Sequence, residues 1–126
     1  MARKTAEQCI DDILKDIEFR KSVDYADREA VRRYNAAYDR IFKNISYIDV
    51  HYPEKIALLV TLCHHADIDI TTHCAPMILR LTNASVQQKQ EAISIIEELV
   101  DGHKLNSAAE FGFAISLKRW KAELSV

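Results

Sequence analysis

The chain has 126 residues, of which 48% are apolar and 29% are charged, so it is long and apolar enough to form one domain with a hydrophobic core. Its composition excludes a disordered tail and a collagen-like chain. Two glycines and two prolines argue against a turn-rich β-sandwich, and a net charge of −2 excludes a strongly basic nucleic-acid-binding or membrane-binding protein.

Apolar residues recur every three or four positions from the N-terminus onward, which predicts helices. The first helix is predicted at about 5–21, and it begins with a capping box formed by Thr5 and Gln8. The second is predicted at about 25–49, with Asp24 as its N-cap and Pro53 beyond its end. Its apolar stripe comprises Ala30, Val31, Tyr34, Ala37, Tyr38, Ile41, Phe42, Ile45 and Ile48.

The central helices are short and rich in apolar residues. The third, at about 53–64, is apolar on nearly all sides, which predicts burial between neighbours. The fourth is predicted at about 69–82. Because Pro76 lacks a backbone N–H, it must either lie in the first turn, with Thr72 as the cap, or kink the helix. We expect a start near Asp69 with irregular first turns.

Two further helices complete the chain. The fifth, at about 84–101, begins with a capping box at Ser85 and ends at Gly102, for which we expect a left-handed conformation. The sixth, at about 107–124, begins with a capping box from Ser107 to Glu110. The predicted buried residues are Val86, Ala92, Ile93, Ile96, Leu99 and Val100 in the fifth helix, and Phe111, Ala114, Ile115, Leu117, Trp120 and Leu124 in the sixth.

Short connectors make consecutive helices antiparallel. The sequence therefore predicts a single all-α domain, 1–126, of about six antiparallel helices stacked as hairpins, with no β-sheet. The run from His65 to Ala75, followed by Met77-Ile78-Leu79, resembles the turn and second helix of a HEAT repeat. Arg33-Tyr34-Asn35 and Tyr38-Asp39-Arg40, followed by the helix with Leu58-Leu59, resemble a small bacterial family of HEAT-like, armadillo-type domains over about residues 30–100.

That resemblance implies a stack of helical hairpins whose grooved surface binds another protein. The chain departs from the HEAT pattern at Thr71-Thr72, where such repeats usually have Val-Arg, and at Pro76.

The segment Met1–Glu7 leads directly into an amphipathic helix, so we expect no signal peptide. The three cysteines do not form a disulfide pattern, which favours a cytoplasmic protein with reduced thiols. The longest apolar-rich stretch, Ile56–Cys63, is too short to span a bilayer, so we expect no membrane partner.

A group of soft ligands suggests an alternative, in which Cys63, His65, His73 and Cys74 bind a metal ion in a structural or hydrolytic site. The spacing lacks the two-residue gaps of known zinc modules, and both cysteines continue apolar stripes. We therefore expect no cofactor. We also expect no catalysis, because the chain has no adjacent His-Asp pair and no glycine-rich phosphate loop, and because Asp12 and Asp16 fall on a polar helix face.

Charge is uneven along the chain, because residues 64–115 contain three basic and seven acidic side chains. An acidic surface attracts a basic protein and repels nucleic acid. We expect a non-catalytic protein-binding module. The most specific form of this hypothesis is an immunity-type inhibitor that covers the active site of a basic bacterial toxin such as a nuclease. The expected partner-binding residues are Asp67, Asp69, Glu97, Glu98, Asp101 and Trp120. The basic tip Lys118-Arg119-Trp120-Lys121 is too short to favour nucleic-acid binding.

Overall fold

Helices account for nearly all of the regular structure. The computed structural model describes residues 3–124, and within that range it contains no β-strand, which confirms the all-α class. The helices are α1 (Ala6–Arg20), α2 (Arg28–His51), α3 (Ile56–Cys63), α4 (Ile68–Ile78), α5 (Val86–Asp101) and α6 (Ser107–Leu124), with a 3₁₀ turn at Pro53–Lys55 ahead of α3.

The chain divides into two compact units, and the division falls inside α3. The N-terminal unit ends at Leu59, and within it α1 packs along α2. The C-terminal unit begins at Val60, and within it α4 packs against α5 and α5 against α6. That the whole chain forms one domain stays a prediction.

Helix starts follow local side-chain chemistry. The capping boxes at Thr5–Gln8 and Ser85–Gln88 are both present. In each, the N-cap hydroxyl accepts a hydrogen bond from the backbone N–H of the glutamine, and the glutamine side chain accepts one from the backbone N–H of the N-cap residue. The predicted N-cap of α2 is wrong. Asp27 caps this helix by accepting from the N–H groups of Glu29 and Ala30, whereas the side chain of Asp24 accepts from Ala26 in the turn before it.

The junction between α5 and α6 also differs from the prediction. Gly102 caps α5 with a right-handed φ of −82°, and His103 adopts the left-handed conformation instead, with a φ of 53°. Asn106 precedes α6 and accepts from the N–H of Ala109, so it takes the capping role predicted for Ser107. The side chain of Glu110 contacts His103, with the Oε1 atom of Glu110 2.8 Å from the Nδ1 atom of His103.

The core of the N-terminal unit comes from one narrow face of each helix. Its fully buried side chains are Cys9, Ile13 and Ile17 of α1, Ala37, Ile41, Ile45 and Ile48 of α2, and Ile56 and Leu59 of α3. The stripe predicted for α2 is too wide, because Tyr38 and Phe42 remain more than one-third exposed. A two-helix contact covers only the residues that point directly at the partner helix.

The core of the C-terminal unit depends on α4 and α5. Its buried residues include Cys63, Cys74, Ala75, Met77, Ile78, Ala92, Ile93, Ile95, Ile96 and Leu99. Pro76 lies inside α4 rather than in its first turn. Of the residues predicted to be buried in α6, Leu117 is buried, whereas Phe111 is 71% exposed and Ile115 is 56% exposed. Val86 of α5 is also exposed.

Candidate partner-binding site

The connection between α3 and α4 is held in one conformation by a small hydrogen-bond network. Asp67 caps α4 by accepting from the N–H of Asp69 at 2.9 Å, and its own N–H donates to Nδ1 of His65 at 3.0 Å. The buried hydroxyl of Thr71 donates to the carbonyl of Cys63 at 3.0 Å. That carbonyl is among the last four of α3, which lack partners within their own helix. The network therefore positions Asp67 and Asp69 at the start of α4.

The last turns of α5 lie beside this connection. A cleft of about 260 Å³ is lined by His65, Ile68 and Thr71 on one side and by Ile95, Glu98, Leu99 and Lys104 on the other. Asp101 is one turn beyond Glu98 on the same helix, so their side chains are neighbours. Four of the six predicted partner-binding residues thus lie at one end of the C-terminal unit. We call this group, Asp67, Asp69, Glu98 and Asp101, the acidic end.

The other two predicted residues lie elsewhere on the C-terminal unit. Glu97 accepts a hydrogen bond from Nζ of Lys121 at 2.7 Å, so its charge is compensated by α6. Trp120 is half-buried against Phe113, with ring centroids 6.5 Å apart. Trp120 is nine residues beyond Phe111, a separation of about 13.5 Å along the axis of α6 at about 1.5 Å per residue. Neither Glu97 nor Trp120 joins the acidic end.

An exposed aromatic side chain near the acidic end was not predicted as a binding residue. Phe111 follows Glu110, whose contact with His103 places this part of α6 beside the loop that leaves Asp101. An exposed aromatic ring next to charged groups is the arrangement that interface anchors use. The sequence does not reveal this exposure, because Phe111 fits the apolar stripe of α6, and that pattern predicts a core residue.

The proposed alternative metal ligands already have other partners or are buried. Burial raises the pKa of the Cys63 thiol strongly, and it raises the pKa of Cys74 to about 12, so both are protonated thiols at neutral pH. His65 accepts from the N–H of Asp67, and Nδ1 of His73 lies 2.6 Å from the carbonyl of Asp69. Across residues 3–124, no group of three or more His, Cys, Asp or Glu side chains has a geometry that could hold a metal ion.

The carboxylates predicted to lie on a solvated face of α1 are instead paired with cations. Asp16 accepts from both Nε and Nη2 of Arg40 on α2, and Asp12 lies 2.6 Å from Nζ of Lys4. The Lys4 hydrogen bond lowers the pKa of Asp12. Arg40 and Asn44 lie one turn apart on α2, a spacing that could have indicated a polar contact with α1.

No protein-family model, curated protein or solved structure matches this chain. The relation to HEAT repeats therefore stays a prediction. Over the described residues, no helix combines the length and the apolar character needed to span a bilayer.

Proposed function

We propose that this chain is a protein-binding module whose acidic end docks against a basic surface of another protein. The observation that carries the proposal is that Ile68, which lies between Asp67 and Asp69, lines one cleft with Glu98, one turn before Asp101. Phe111 is exposed in α6 of the same unit, and Lys104 is the one lysine among the described residues that line the cleft. Charges of one sign on a surface speed association with an oppositely charged partner and determine its orientation. An exposed aromatic ring supplies apolar contact that charges alone do not provide.

The most specific form of the proposal is an immunity-type inhibitor. Such a protein covers the active site of a toxin, and the substrate-binding surface of a nuclease is basic because it must contact phosphates. The acidic end has the complementary sign. In this form, Glu98 and Asp101 steer the complex and Phe111 is its apolar anchor.

The test compares the wild-type chain with E98K/D101K as bait in lysate from the organism that encodes it. The control is E18K/E54K, which changes net charge equally but alters exposed residues of the N-terminal unit. We expect the wild type and the control to retain a basic protein at low salt. We expect E98K/D101K to bind the purified partner at least about tenfold more weakly, since close interfacial charge pairs contribute about 1.5 kcal/mol or more.

Equal retention by E98K/D101K and the wild type would contradict docking at the acidic end. The inhibitor form is tested with the purified partner, by titrating its activity with the chain. Loss of activity at one equivalent supports an immunity-type role, whereas full activity in the saturated complex contradicts it.

A further inference from the structure

A second cleft lies in the N-terminal unit, between α1 and α2. Its volume is about 430 Å³, within the range of about 300–1,000 Å³ that small-molecule sites occupy. Its lining is charged and polar, and it consists of Lys4, Asp12, Lys15, Asp16, Arg40, Lys43 and Asn44. On α1, Lys15 and Asp16 follow Asp12 by three and four residues, and on α2, Lys43 and Asn44 follow Arg40 by the same spacing, so each helix contributes one continuous patch.

The carboxylates in this cleft are already compensated. Asp16 is held by Arg40 in a two-nitrogen contact, with distances of 2.8 and 3.2 Å, and its side chain is only 15% exposed. Asp12 is held by Lys4, whose Nζ also donates to Oδ1 of Asn44 at 2.7 Å. The hydroxyl of Tyr52 donates to the carbonyl of Lys4 at 2.7 Å, which fixes the segment ahead of α1.

Two ammonium groups remain after these pairs are formed. Lys15 on α1 and Lys43 on α2 both line the cleft, and over residues 3–124 neither ammonium group makes a hydrogen bond or a salt bridge. The charge of Lys15 still acts on the neighbouring Asp12, where it helps Lys4 to lower the pKa of the carboxyl group. The lining holds four cations and two carboxylates, so it carries a positive excess. Acidic and basic residues are equal in number over 1–59, so this excess is local to the cleft.

The side chains that line the cleft indicate which class of ligand it binds. Two lysines on facing helices supply up to six N–H donors to one bound group, and lysine binds phosphate as a compact point charge. The paired Arg40 and Lys4 define the walls, so an incoming anion does not need to order them. An extended polyanion such as RNA needs a continuous basic surface, whereas Asp11 and Asp39 adjoin the cleft residues in sequence.

We propose that the cleft between α1 and α2 binds a small phosphate-bearing anion, with Lys15 and Lys43 contacting the phosphoryl oxygens. The site is separate from the acidic end and does not depend on the protein-binding function. It gives the N-terminal unit a ligand of its own.

Calorimetric titration of the full chain with inorganic phosphate and with pyrophosphate tests the proposal, at constant ionic strength in chloride buffer. We expect saturable binding of one equivalent of at least one of these anions, weakened at least about tenfold in K15Q/K43Q, since charge-assisted hydrogen bonds are lost. The matched control is K89Q/K118Q, which removes two lysine charges from the C-terminal unit and should bind as the wild type does. Neither cleft lysine makes a hydrogen bond or salt bridge over residues 3–124, so K15Q/K43Q should keep the wild-type helicity.

Absence of saturable binding to the wild type would overturn the proposal. So would equal binding by K15Q/K43Q, or equal weakening by K89Q/K118Q, which would indicate a nonspecific charge effect. Binding of an RNA oligomer that depends on Lys15 and Lys43, without binding of either small anion, would overturn the assignment of the ligand class.

Discussion

The hydroxyl of Thr71 is expected to stabilise the C-terminal unit through one bond between α4 and α3. Thr71 is 3% exposed, and its Oγ1 donates to the carbonyl of Cys63 at 3.0 Å. Replacing threonine with valine keeps the shape of the side chain but removes this hydroxyl, which also lies 3.4 Å from the carbonyl of His65 and 3.5 Å from that of Asp67. A typical intramolecular hydrogen bond contributes about 0.5–1.5 kcal/mol, so T71V should lower the free energy of unfolding by about that amount.

Thr72 provides the matched control in the same turn of the same helix. Its hydroxyl donates to the carbonyl of Asp69 at 3.3 Å, but the contact is exposed, so water replaces it when the hydroxyl is removed. We expect T72V to change the free energy of unfolding by less than about 0.5 kcal/mol. The expected loss in T71V is substantial, because small domains are stable by only about 5–15 kcal/mol in total.

Urea denaturation followed by circular dichroism measures both variants, and native-state hydrogen exchange locates the effect. Backbone amides in the first turn of α4 should exchange faster in T71V, because the start of this helix, where Asp67 and Asp69 lie, has lost its hydrogen bond to α3. Equal stability of T71V and the wild type would refute the reasoning, as would an equal loss in T72V.

The remaining predictions concern the start of α6 and the buried thiols. N106A should lower the free energy of unfolding by about 0.5–2 kcal/mol, because the N–H of Ala109 loses its cap, whereas S107A should have a smaller effect in the same denaturation assay. Burial raises the pKa of Cys63 and Cys74 above the ordinary value of 9.0, so above that pH the folded chain retains protons that the unfolded chain releases. Stability should therefore be independent of these thiols below pH 9 and should fall as the pH rises from 9 towards 12. A denaturation series in which C63A/C74A shows the same slope as the wild type over this range would contradict the assignment.

The buried thiols also bear on how the chain uses its cysteines. A cysteine acts as a nucleophile or a metal ligand in its thiolate form, and burial disfavours that form. Cys63 and Cys74 are therefore small apolar core residues at neutral pH, in agreement with the stripes that they continue in the sequence.

The two proposed sites have opposite charge and belong to different units. The acidic end combines carboxylates with an exposed aromatic ring, which suits a protein surface. The cleft between α1 and α2 combines a small volume with two ammonium groups that make no salt bridge in the described part of the chain, which suits a compact anion. The charge-reversal and lysine-to-glutamine variants change separate units, so each experiment reports on its own site.

Local chemistry in the sequence was sufficient to predict the helical class and several helix boundaries. Apolar spacing of three to four residues places one face of a helix in the core, and the capping boxes at Thr5 and Ser85 satisfy backbone groups only a few residues away. These interactions span at most one helical turn, so they can be recognised before the tertiary structure is known. The grouping of Asp67 and Asp69 at the start of α4 follows from the same local chemistry.

Tertiary packing decided which of the predicted surfaces are covered and which charges are compensated. Phe42 and Phe111 have the spacing of core residues, but each lies off the line of contact with a neighbouring helix and remains exposed. Arg40 pairs with Asp16, and Lys121 with Glu97, across helix interfaces between residues far apart in the chain. Helical periodicity specifies the angle of a side chain around its own helix axis, whereas the partner of that side chain depends on the position and tilt of a second helix, which only the packed structure sets.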